Sequence, residues 1–404
     1  SMTHRERVLT ALRHEEPDRL PIDFGGSAET TILAVAYRRL RQHLNLPVDR
    51  VRVDDPCQHT AVVERDVRQR FGVDVRLVFH EPTAWRAGEL PDGSPAEFPA
   101  LFRPVRRDDG SQVTLDEENH VLLLMPEAGH YFDPVYAPLA GATSIAEIDR
   151  HLTAIETYDK PSYFDMSYEA LGWKAQALHE HTDDFLMGYF GGHIFQAGQV
   201  LRGWATFLSD LLINRKFAEA LMARLTDVNI ERFERFASTV GPHVDAIIFE
   251  DDLGAQDRPL VSPEMYRTII KPYHRRLYEF AKSRCRARLL LHSDGAVAPL
   301  IPDFIDMGID ALNPVQVSAK GMDTQWLKRE FGKSITFWGG GCDSQRVLPF
   351  GTPEQVADEV RRRIDDLAPG GGFVFAPVHN VQTGVPPENV VAMFDTARAH
   401  GVYR

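Results

Sequence analysis

Short apolar runs that each end in a cluster of polar residues recur along this chain, and they constrain its fold more than any other feature. Three lie in the C-terminal third and end in His292-Ser293-Asp294-Gly295, Gly339-Gly340-Gly341-Cys342 and Pro377-Val378-His379-Asn380. Each run is rich in aliphatic and aromatic residues and is bounded by glycine or proline, which is typical of a buried parallel strand. Amphipathic helical patterns separate the runs. This alternation predicts an α/β fold, a TIM-like (β/α)8 barrel whose strands all point their C-terminal ends toward one mouth.

Seven segments fit such a strand: 20–24, 185–190, 244–250, 287–292, 310–314, 334–338 and 372–376. A closed barrel needs eight, and the eighth is either 51–53 or a segment that the pattern does not resolve. Residues from about 75 to 142 have a different pattern of apolar and polar residues. In 111–115 and 120–124 the two kinds alternate and turn sequences separate the segments, which predicts hairpins. We therefore expect a single barrel domain over residues 1–404, with a β-rich excursion at about 75–142.

Composition and charge exclude several classes of partner. The formal net charge is −13, and nucleic acids and anionic membrane surfaces both favour a basic face. The three cysteines, Cys57, Cys285 and Cys342, show no pairing rhythm, which favours a reducing compartment over a disulfide framework. No apolar run has the length of a membrane span, and the N-terminal residues lack a signal-peptide core. We expect a cytoplasmic protein.

The catalytic candidates are acidic residues at strand ends. Glu250, Asp251 and Asp252 follow the strand 244–250 directly. Three adjacent carboxylates repel one another unless a metal, an arginine or a bound proton compensates their charge. We therefore select Glu250 and Asp251, together with Asp294, as catalytic residues. A solvated loop is the alternative for the three consecutive carboxylates.

Other polar residues and glycines at the predicted strand exits are candidates for substrate binding, since they would share the barrel mouth. They are Gly25, Gly26, His193, Asn313, Gln316, Trp338, Gln345 and Asn380. Two of these predictions have structural alternatives. The glycine pair also suits a plain tight turn, and His193 also suits the cap of the helix that follows it.

Two histidines at the ends of separate strands, His292 and His379, are candidate metal ligands. Two neutral imidazoles with a thiolate, for which Cys342 is the candidate, or with a carboxylate would supply three protein donors and leave a fourth position open, as a catalytic zinc requires. Such a zinc acts as a Lewis acid or holds an activated nucleophile. The alternative is that both histidines hydrogen-bond the substrate without any metal.

At these residues the sequence resembles the uroporphyrinogen decarboxylase superfamily, and more closely its branch of cobalamin- or corrinoid-dependent methyltransferases. The resemblance covers nearly the whole chain. It is carried by Arg5-Glu6-Arg7-Val8-Leu9, Pro17-Asp18-Arg19-Leu20-Pro21, Ser262-Pro263-Glu264, His292-Ser293-Asp294-Gly295, Gly351-Thr352-Pro353-Glu354 and Pro386-Pro387-Glu388-Asn389. These motifs are specific for the superfamily but not for a substrate.

The resemblance implies a TIM-like barrel and, in the family's zinc enzymes, a metal held by a His-x-Cys pair and a later cysteine. Here His292 matches the first position, Asp294 stands at the second, and His379 falls near the third. Oxygen and nitrogen thus replace sulfur, and Cys342 would restore one sulfur ligand. The arginine-rich motif with which the family's decarboxylases bind porphyrin carboxylates is not visible.

We therefore predict a zinc-dependent methyltransferase. It would move a methyl group between a corrinoid and a small methyl donor or acceptor, such as a methoxylated aromatic compound or a thiol. The chain lacks the Asp-x-His-x-x-Gly signature that resembles corrinoid-binding modules, so a separate corrinoid protein is the expected partner, and a homodimer is a further arrangement that we retain. The alternatives are a metal-independent decarboxylase or lyase, and a barrel that binds ligand without catalysis.

Overall fold

The centre of the fold is a parallel sheet of seven strands in a computed structural model that describes residues 1–403. In sheet order the strands are Val75–Val78, Phe185–Gly191, Ala246–Glu250, Arg288–His292, Ala311–Asn313, Thr336–Trp338 and Phe373–Val374. Residues 20–24 fill the gap between the first and last strands. Ile22 forms a parallel bridge with Phe375, and its carbonyl oxygen accepts the Asp74 N–H at 2.8 Å. The predicted TIM-like barrel is confirmed.

Residues 51–53 do not supply the eighth strand of the barrel. Val75–Val78 pairs in parallel with Phe185–Gly191 and belongs to the barrel. Val51–Asp55 pairs instead with Thr60–Ala61 and Pro95–Pro99, outside the barrel sheet. Both segments are short and valine-rich, so local pattern could not separate them. Only the pairing partner, which lies far away in sequence, decides between them.

Val75–Val78 belongs to the barrel rather than to the β-rich excursion, whose first sheet includes two strands that precede it in the chain. One four-stranded sheet contains Thr60–Ala61, Val51–Asp55, Pro95–Pro99 and Trp85–Glu89, and a second contains Val105–Arg106, Gln112–Leu115, Val121–Met125 and Asp133–Pro134. The predicted hairpin is present, since Gln112–Leu115 pairs antiparallel with Val121–Met125. Phe102, Met125 and Phe132 form a small core of their own there.

Helices surround the barrel and alternate with its strands. Their bounds are His4–Leu12, Ala34–His43, Arg65–Phe71, Leu152–Glu156, Tyr168–His181, Phe195–Arg202, Trp204–Ile213, Arg215–Thr239, Pro263–Met265, Lys271–Arg284, Ile301–Asp306, Thr324–Phe331, Val347–Phe350, Pro353–Leu367 and Pro387–His400. A π-helical turn, Tyr266–Ile270, connects two of them. The Ser262 hydroxyl accepts the Met265 N–H and caps the start of the helix Pro263–Met265. No helix among residues 1–403 is both long enough and apolar enough to cross a membrane.

A buried carboxylate, Asp74, joins the N-terminal segment to the barrel. It accepts hydrogen bonds from Arg7 Nη1 at 2.7 Å and Arg19 Nη1 at 2.9 Å, and His4 Nδ1 lies 2.6 Å away. Its Oδ2 atom also accepts the Ile22 N–H at 2.9 Å. The two N-terminal motifs that carry the family resemblance therefore have a structural role, because each supplies an arginine to this one carboxylate.

Candidate active site

The candidate site lies at the C-terminal ends of the barrel strands and is centred on His292, whose side chain is 2 % exposed. Three carboxylates surround its Nε2 atom. Asp294 Oδ2 lies at 3.4 Å, Glu250 Oε1 at 3.8 Å and Asp252 Oδ1 at 3.8 Å. Strand pairing produces this arrangement, since Glu250 and His292 are register partners on adjacent parallel strands. The convergence predicted from strand ends is present for His292, Glu250 and Asp294.

Asn313, on the next strand, fixes the orientation of the His292 ring. Its Nδ2 donates to the Trp338 carbonyl oxygen at 2.7 Å, which identifies its Oδ1 as the atom facing His292 Nδ1, also at 2.7 Å. The Nδ1–H of His292 therefore donates to Asn313, and the Nε2 atom is left facing the carboxylates. Such a partner sets which nitrogen is free to bind a ligand. We predicted Asn313 as a substrate contact, but both of its amide atoms are engaged within the protein.

Replacement of Asn313 by alanine is expected to reduce turnover by about 10- to 100-fold, the usual effect of removing the hydrogen-bond partner of a functional histidine. The physical reason is that the ring of His292 loses its preferred tautomer and orientation. The measurement is steady-state turnover, together with thermal unfolding. Unchanged turnover in a folded variant would show that Asn313 does not position His292.

Glu29 brings the second predicted histidine to the same pocket. His379 Nε2 lies 3.2 Å from Glu29 Oε2, and ligand atoms of Glu29, Glu250 and His292 lie within 4.8 Å of one another. His379 and His292 thus both lie next to Glu29. The imidazole of His379 is 40 % exposed and belongs to none of the ligand groups among residues 1–403. Its geometry suits contact with a ligand better than the metal-binding role that we predicted.

Asn380 supports the loop that carries Glu29. Its Nδ2 donates to the Ala28 carbonyl oxygen at 3.1 Å and to Gln58 Oε1 at 2.9 Å, and Gln58 Nε2 contacts Glu29 Oε1 at 3.4 Å. The Asn380 residue is 2 % exposed. We predicted it to bind substrate, but its amide is engaged in joining the last strand's loop to the first strand's loop.

A chain of polar contacts holds Glu250 from the opposite side. Tyr189 donates its hydroxyl hydrogen to Glu250 Oε2 at 2.5 Å, and His193 Nε2 lies 3.5 Å from the same oxygen. Asp159 binds His193 Nδ1 and is itself held by Arg232 at 2.8 Å. His193 therefore lies beside Glu250, and its contact with substrate stays a prediction. It does not cap the following helix with its side chain.

The site contains clustered acids whose basic neighbours are histidines rather than lysine or arginine. Burial raises the pKa of Asp252 to about 7, with Asp294 adding to the effect. Burial also raises the pKa of Glu250, but His193, His292 and Tyr189 outweigh it and lower that pKa to about 2. The pKa of His292 is raised well above its ordinary value, because the surrounding carboxylates outweigh its burial. No Lys or Arg within residues 1–403 forms an ion pair with Glu29, Asp55, Glu250, Asp252 or Asp294.

Asp251 was predicted to be catalytic, and the structure assigns it a different role. Its carboxylate is fully buried and accepts the backbone N–H groups of Phe195 at 2.9 Å and Gln196 at 2.7 Å. It also contacts His274 Nε2 at 2.6 Å. Asp251 thus anchors the start of the helix Phe195–Arg202 and does not face the pocket. The catalytic prediction for this residue is wrong.

Cys342 lies outside both groups of possible metal ligands at the mouth. Its sulfur is buried, and its charged neighbours are Glu359 and Arg363 on the helix Pro353–Leu367. Burial raises its pKa well above the ordinary value, which disfavours the thiolate that a metal needs. No group of three ligand atoms among residues 1–403 includes it.

Replacement of Cys342 by alanine is therefore expected to leave metal content and turnover within about two-fold of the unmodified protein, because the sulfur is not near the pocket. Elemental analysis and steady-state kinetics on the same preparation test this. A loss of bound metal in the variant would return Cys342 to the ligand set.

Gly25, Gly26 and Trp338 form packing beneath the pocket rather than a surface for substrate. A Cβ atom at Gly26 would lie 2.5 Å from Asp23 Oδ1 and 2.7 Å from Met187 Sδ. Gly25 has a φ of +92°, so it serves the turn. Trp338 is 1 % exposed, and its Nε1–H donates to Asp23 Oδ2 at 2.8 Å. The geometry agrees with the tight-turn alternative for the glycines, and substrate contact at these three positions stays a prediction.

Gln316 and Gln345 lie at the rim of the mouth. Both amides donate to Gln256 Oε1, at 3.1 and 3.3 Å, and Gln316 Oε1 accepts the Gly295 N–H at 2.8 Å. Gln316 thereby fixes the loop directly after Asp294. Their role in binding substrate stays a prediction.

Sequence reasoning did not select four residues of the site, Glu29, Asp252, Tyr189 and Asp159, although it considered Asp252 with the two acidic residues before it. Tyr189 lies near the end of a barrel strand, Asp252 two residues after one and Glu29 in the loop after residues 20–24, so extending the strand-end rule to every polar residue there would have found them. Asp159 precedes the helix Tyr168–His181 in an irregular segment. No local signal marks it.

Two groups of donors at the mouth could hold a metal ion, Glu29 with Glu250 and His292, and Asp252 with His292 and Asp294. Both groups combine carboxylate oxygens with one imidazole nitrogen. Such ligands fit zinc and other divalent ions of intermediate hardness, whereas a sulfur-rich site would select softer metals. The residues present thus fit a divalent cation, with oxygen and nitrogen in place of the expected thiolate.

The family follows from comparison with known proteins. Residues 140–400 match the family described as uroporphyrinogen decarboxylase (URO-D), which is well over half of the chain. The chain belongs to the URO-D family. A solved structure described as a methyltransferase from Methanosarcina mazei shares the fold, with a TM-score of 0.58, 17% sequence identity and coverage of 98% of both chains.

Curated relatives that match parts of the chain include a decarboxylase and a methyltransferase. A uroporphyrinogen decarboxylase from Neisseria meningitidis is 28% identical over 116 residues, which is 27% of this chain and 32% of that protein. A methylated-thiol–coenzyme M methyltransferase from Methanosarcina mazei is 27% identical over 175 residues, 43% of this chain and 42% of that protein. The matched segments thus span well under half of either relative. The resemblance to the superfamily and its methyltransferase branch is confirmed.

Proposed function

We propose that this URO-D protein is a methyltransferase that moves a methyl group between a small molecule and a corrinoid carried by a separate protein. The longer of the curated matches, to a methyltransferase of methylated thiols, supports this choice, and so does the methyltransferase fold that aligns with 98% of the chain. We propose in addition that the protein is located in the cytoplasm and forms a homodimer. The three free cysteines agree with a reducing compartment.

The observation that carries the proposal is the meeting of His292 with carboxylates at the C-terminal ends of the barrel strands. These residues would hold a divalent cation, for which zinc is our hypothesis, and a bound cation would supply Lewis-acid charge next to the reacting heteroatom. Asn313 orients His292 for that task. Tyr189 and His193 hold Glu250 in a fixed position.

The charge of the pocket disfavours the decarboxylase alternative. Decarboxylation of a polycarboxylate needs cationic groups that bind its carboxylates. Here the acids Glu29, Glu250, Asp252 and Asp294 border the pocket, and none of them is paired with Lys or Arg among residues 1–403. The cationic groups that the site offers such a substrate are histidines, among them His292, whose pKa is raised well above its ordinary value. A small molecule with few or no carboxylates therefore fits the site better.

The test combines metal analysis with a transfer assay. Protein purified without added metal or a chelating tag is analysed for bound metals, and is then mixed with free cob(I)alamin and a panel of methylated ethers, thioethers and ammonium compounds. We expect a stoichiometric divalent metal and loss of the cob(I)alamin absorbance with at least one donor. Release of carbon dioxide from a carboxylated substrate, with no methyl transfer from any donor, would favour the decarboxylase instead.

A further inference from the structure

An irregular segment between the helices Leu152–Glu156 and Tyr168–His181 brings one buried carboxylate, Asp159, against the end of a barrel strand. Its Oδ2 atom accepts the backbone N–H groups of Gly192 at 3.1 Å and His193 at 3.3 Å. Its Oδ1 atom binds the Nδ1 atom of the His193 ring. One carboxylate thus holds both the backbone and the side chain of His193.

The last residue of that strand leaves room for the carboxylate. Gly191 has a φ of +82°, in the left-handed region that favours glycine. A Cβ atom at Gly191 would lie 2.7 Å from Asp159 Oδ1, which is too close for two atoms that are not bonded. The contact between Asp159 and the strand end therefore depends on a glycine at this position.

Arg232, on the helix Arg215–Thr239, balances the charge of Asp159. Its Nη2 donates to Asp159 Oδ2 at 2.8 Å, and its Nη1 donates to the Phe190 carbonyl oxygen at 3.1 Å. The guanidinium carbon lies 3.9 Å from the centroid of the Phe190 ring. The side chains of Arg232 and Asp159 are 9% and 4% exposed. The pair is therefore almost fully withdrawn from solvent and is held from several sides.

The ring of His193 connects this buried pair to the pocket. A carboxylate offers only acceptors, so the contact with Asp159 requires a hydrogen on Nδ1 of His193. The Nε2 atom then faces Glu250 and lies 3.5 Å from its Oε2 atom. Tyr189 donates its hydroxyl hydrogen to the same oxygen. The other oxygen of Glu250, Oε1, is the one that lies next to His292 Nε2, at 3.8 Å.

We propose that Asp159 is a positioning residue of the metal site: by fixing the ring of His193 it fixes Glu250 as a ligand, and so raises the affinity of the mouth for a divalent cation. The inference rests on the proposed function, because the cation is the one proposed there. Fixed outer partners reduce the motion that a ligand loses when the metal binds. A buried ion pair adds little net stability, because desolvation offsets its attraction, so positioning accounts for the pair of Asp159 and Arg232 better than stability does.

The test measures metal affinity rather than turnover. The full chain and its Asp159→Asn variant are freed of metal, and zinc is titrated into each in competition with a chromophoric chelator. Asparagine keeps the shape and one acceptor oxygen but loses the charge that holds His193 and Arg232. We expect zinc affinity to fall about three- to ten-fold, below the range of about 10- to 100-fold for direct partners of a ligand, because Asp159 acts through His193. Bound Co²⁺ gives a second measurement, since its visible absorption depends on ligand geometry.

Asp210→Asn is the matched control. Asp210 accepts the Arg202 Nε–H at 2.8 Å, and the two side chains are 5% and 7% exposed, so this pair matches the pair of Arg232 and Asp159 in distance and burial. Both variants leave a buried arginine without its partner, and we expect similar losses of thermal stability. Only Asp159→Asn should weaken zinc binding and change the Co²⁺ spectrum.

A double-mutant cycle with His193→Gln tests the route of the effect. Asp159→Asn should cause no further loss of zinc affinity in the His193→Gln background, because its effect passes through that ring. Equal losses in the two backgrounds would show that Asp159 does not act through His193, and would overturn the inference. If Asp159→Asn does not fold, Arg232→Lys replaces it, since lysine keeps the buried charge but lacks the planar fork of donors, and zinc affinity should fall about two- to three-fold.

The remaining outcomes separate this inference from the proposed function. A folded Asp159→Asn protein that binds zinc as tightly as the unmodified chain overturns the inference and leaves the methyltransferase proposal standing. Equal weakening by Asp159→Asn and Asp210→Asn also overturns it, because the effect would then be general destabilisation. Selective weakening by Asp159→Asn, with no methyl transfer from any donor, supports the inference and overturns the methyltransferase proposal. An unmodified chain that binds neither zinc nor Co²⁺ overturns the inference together with the metal hypothesis.

Discussion

Replacement of His292 by alanine is expected to reduce methyl transfer by about 100-fold or more, the effect of removing one preorganised electrostatic group from an active site. His292 is the one side chain shared by both groups of ligand atoms at the mouth. Its loss therefore removes a donor from either arrangement, and bound metal should fall in parallel with turnover. The measurements are elemental analysis and the cob(I)alamin assay on the same preparation.

The control for this variant is His400→Ala. His400 pairs with Asp365 at 2.7 Å on the surface, with its side chain 36% exposed, so its replacement should change neither metal content nor turnover. If His292→Ala retains its metal and loses activity, the imidazole acts on the substrate directly. If it retains both, the site is not centred on His292.

Replacement of Asp74 by alanine is expected to lower the free energy of unfolding by about 3–5 kcal/mol, because it leaves buried cations without their partner. Arg7 is nearly as buried as Asp74 itself. Burial raises the pKa of Asp74, but His4, Arg19 and Arg7 outweigh it, and the net shift is downward. A lowered folded-state pKa gives stability that is full above the ordinary value of 3.8 and is lost as the pH falls below it.

Chemical denaturation at neutral pH and at acid pH measures both parts of this prediction. The matched control is Asp395→Ala, which removes an exposed ion pair with Arg70 and should cost about 1 kcal/mol or less. The difference in stability between Asp74→Ala and the unmodified protein should also shrink at acid pH. An Asp74→Ala protein as stable as the Asp395→Ala protein would show that the buried cluster does not hold the N-terminal segment.

The strands, and the residues that lie at the barrel mouth, could be predicted because the sequence patterns that mark them are local. Six of the predicted strand segments correspond to strands of the barrel sheet, and residues 20–24 bridge its first and last strands. The strand ends then placed Glu250, His292 and Asp294 at one mouth without any knowledge of their contacts. A parallel barrel points every strand the same way, so position along the strand is enough.

Whether each side chain points into the pocket or away from it could not be predicted in this way. Glu250 and Asp251 are adjacent, but only Glu250 faces the pocket, because successive side chains at a strand end point to opposite sides. Both faces of a barrel strand are buried, so hydrophobicity does not reveal which is the inner one. The same ambiguity placed Cys342 in the ligand set, although it lies toward the helix Pro353–Leu367.

The sequence by itself determined that this chain is an α/β barrel with histidine and carboxylate groups at its mouth, since the period of the apolar runs and the residues that end them are properties of neighbouring residues. The tertiary structure alone decided that Glu29 completes the site, because Asn380, far away in the chain, fixes its loop. It also decided that Val75–Val78 rather than Val51–Asp55 enters the barrel sheet. Such choices depend on contacts between distant segments, and no local pattern encodes them.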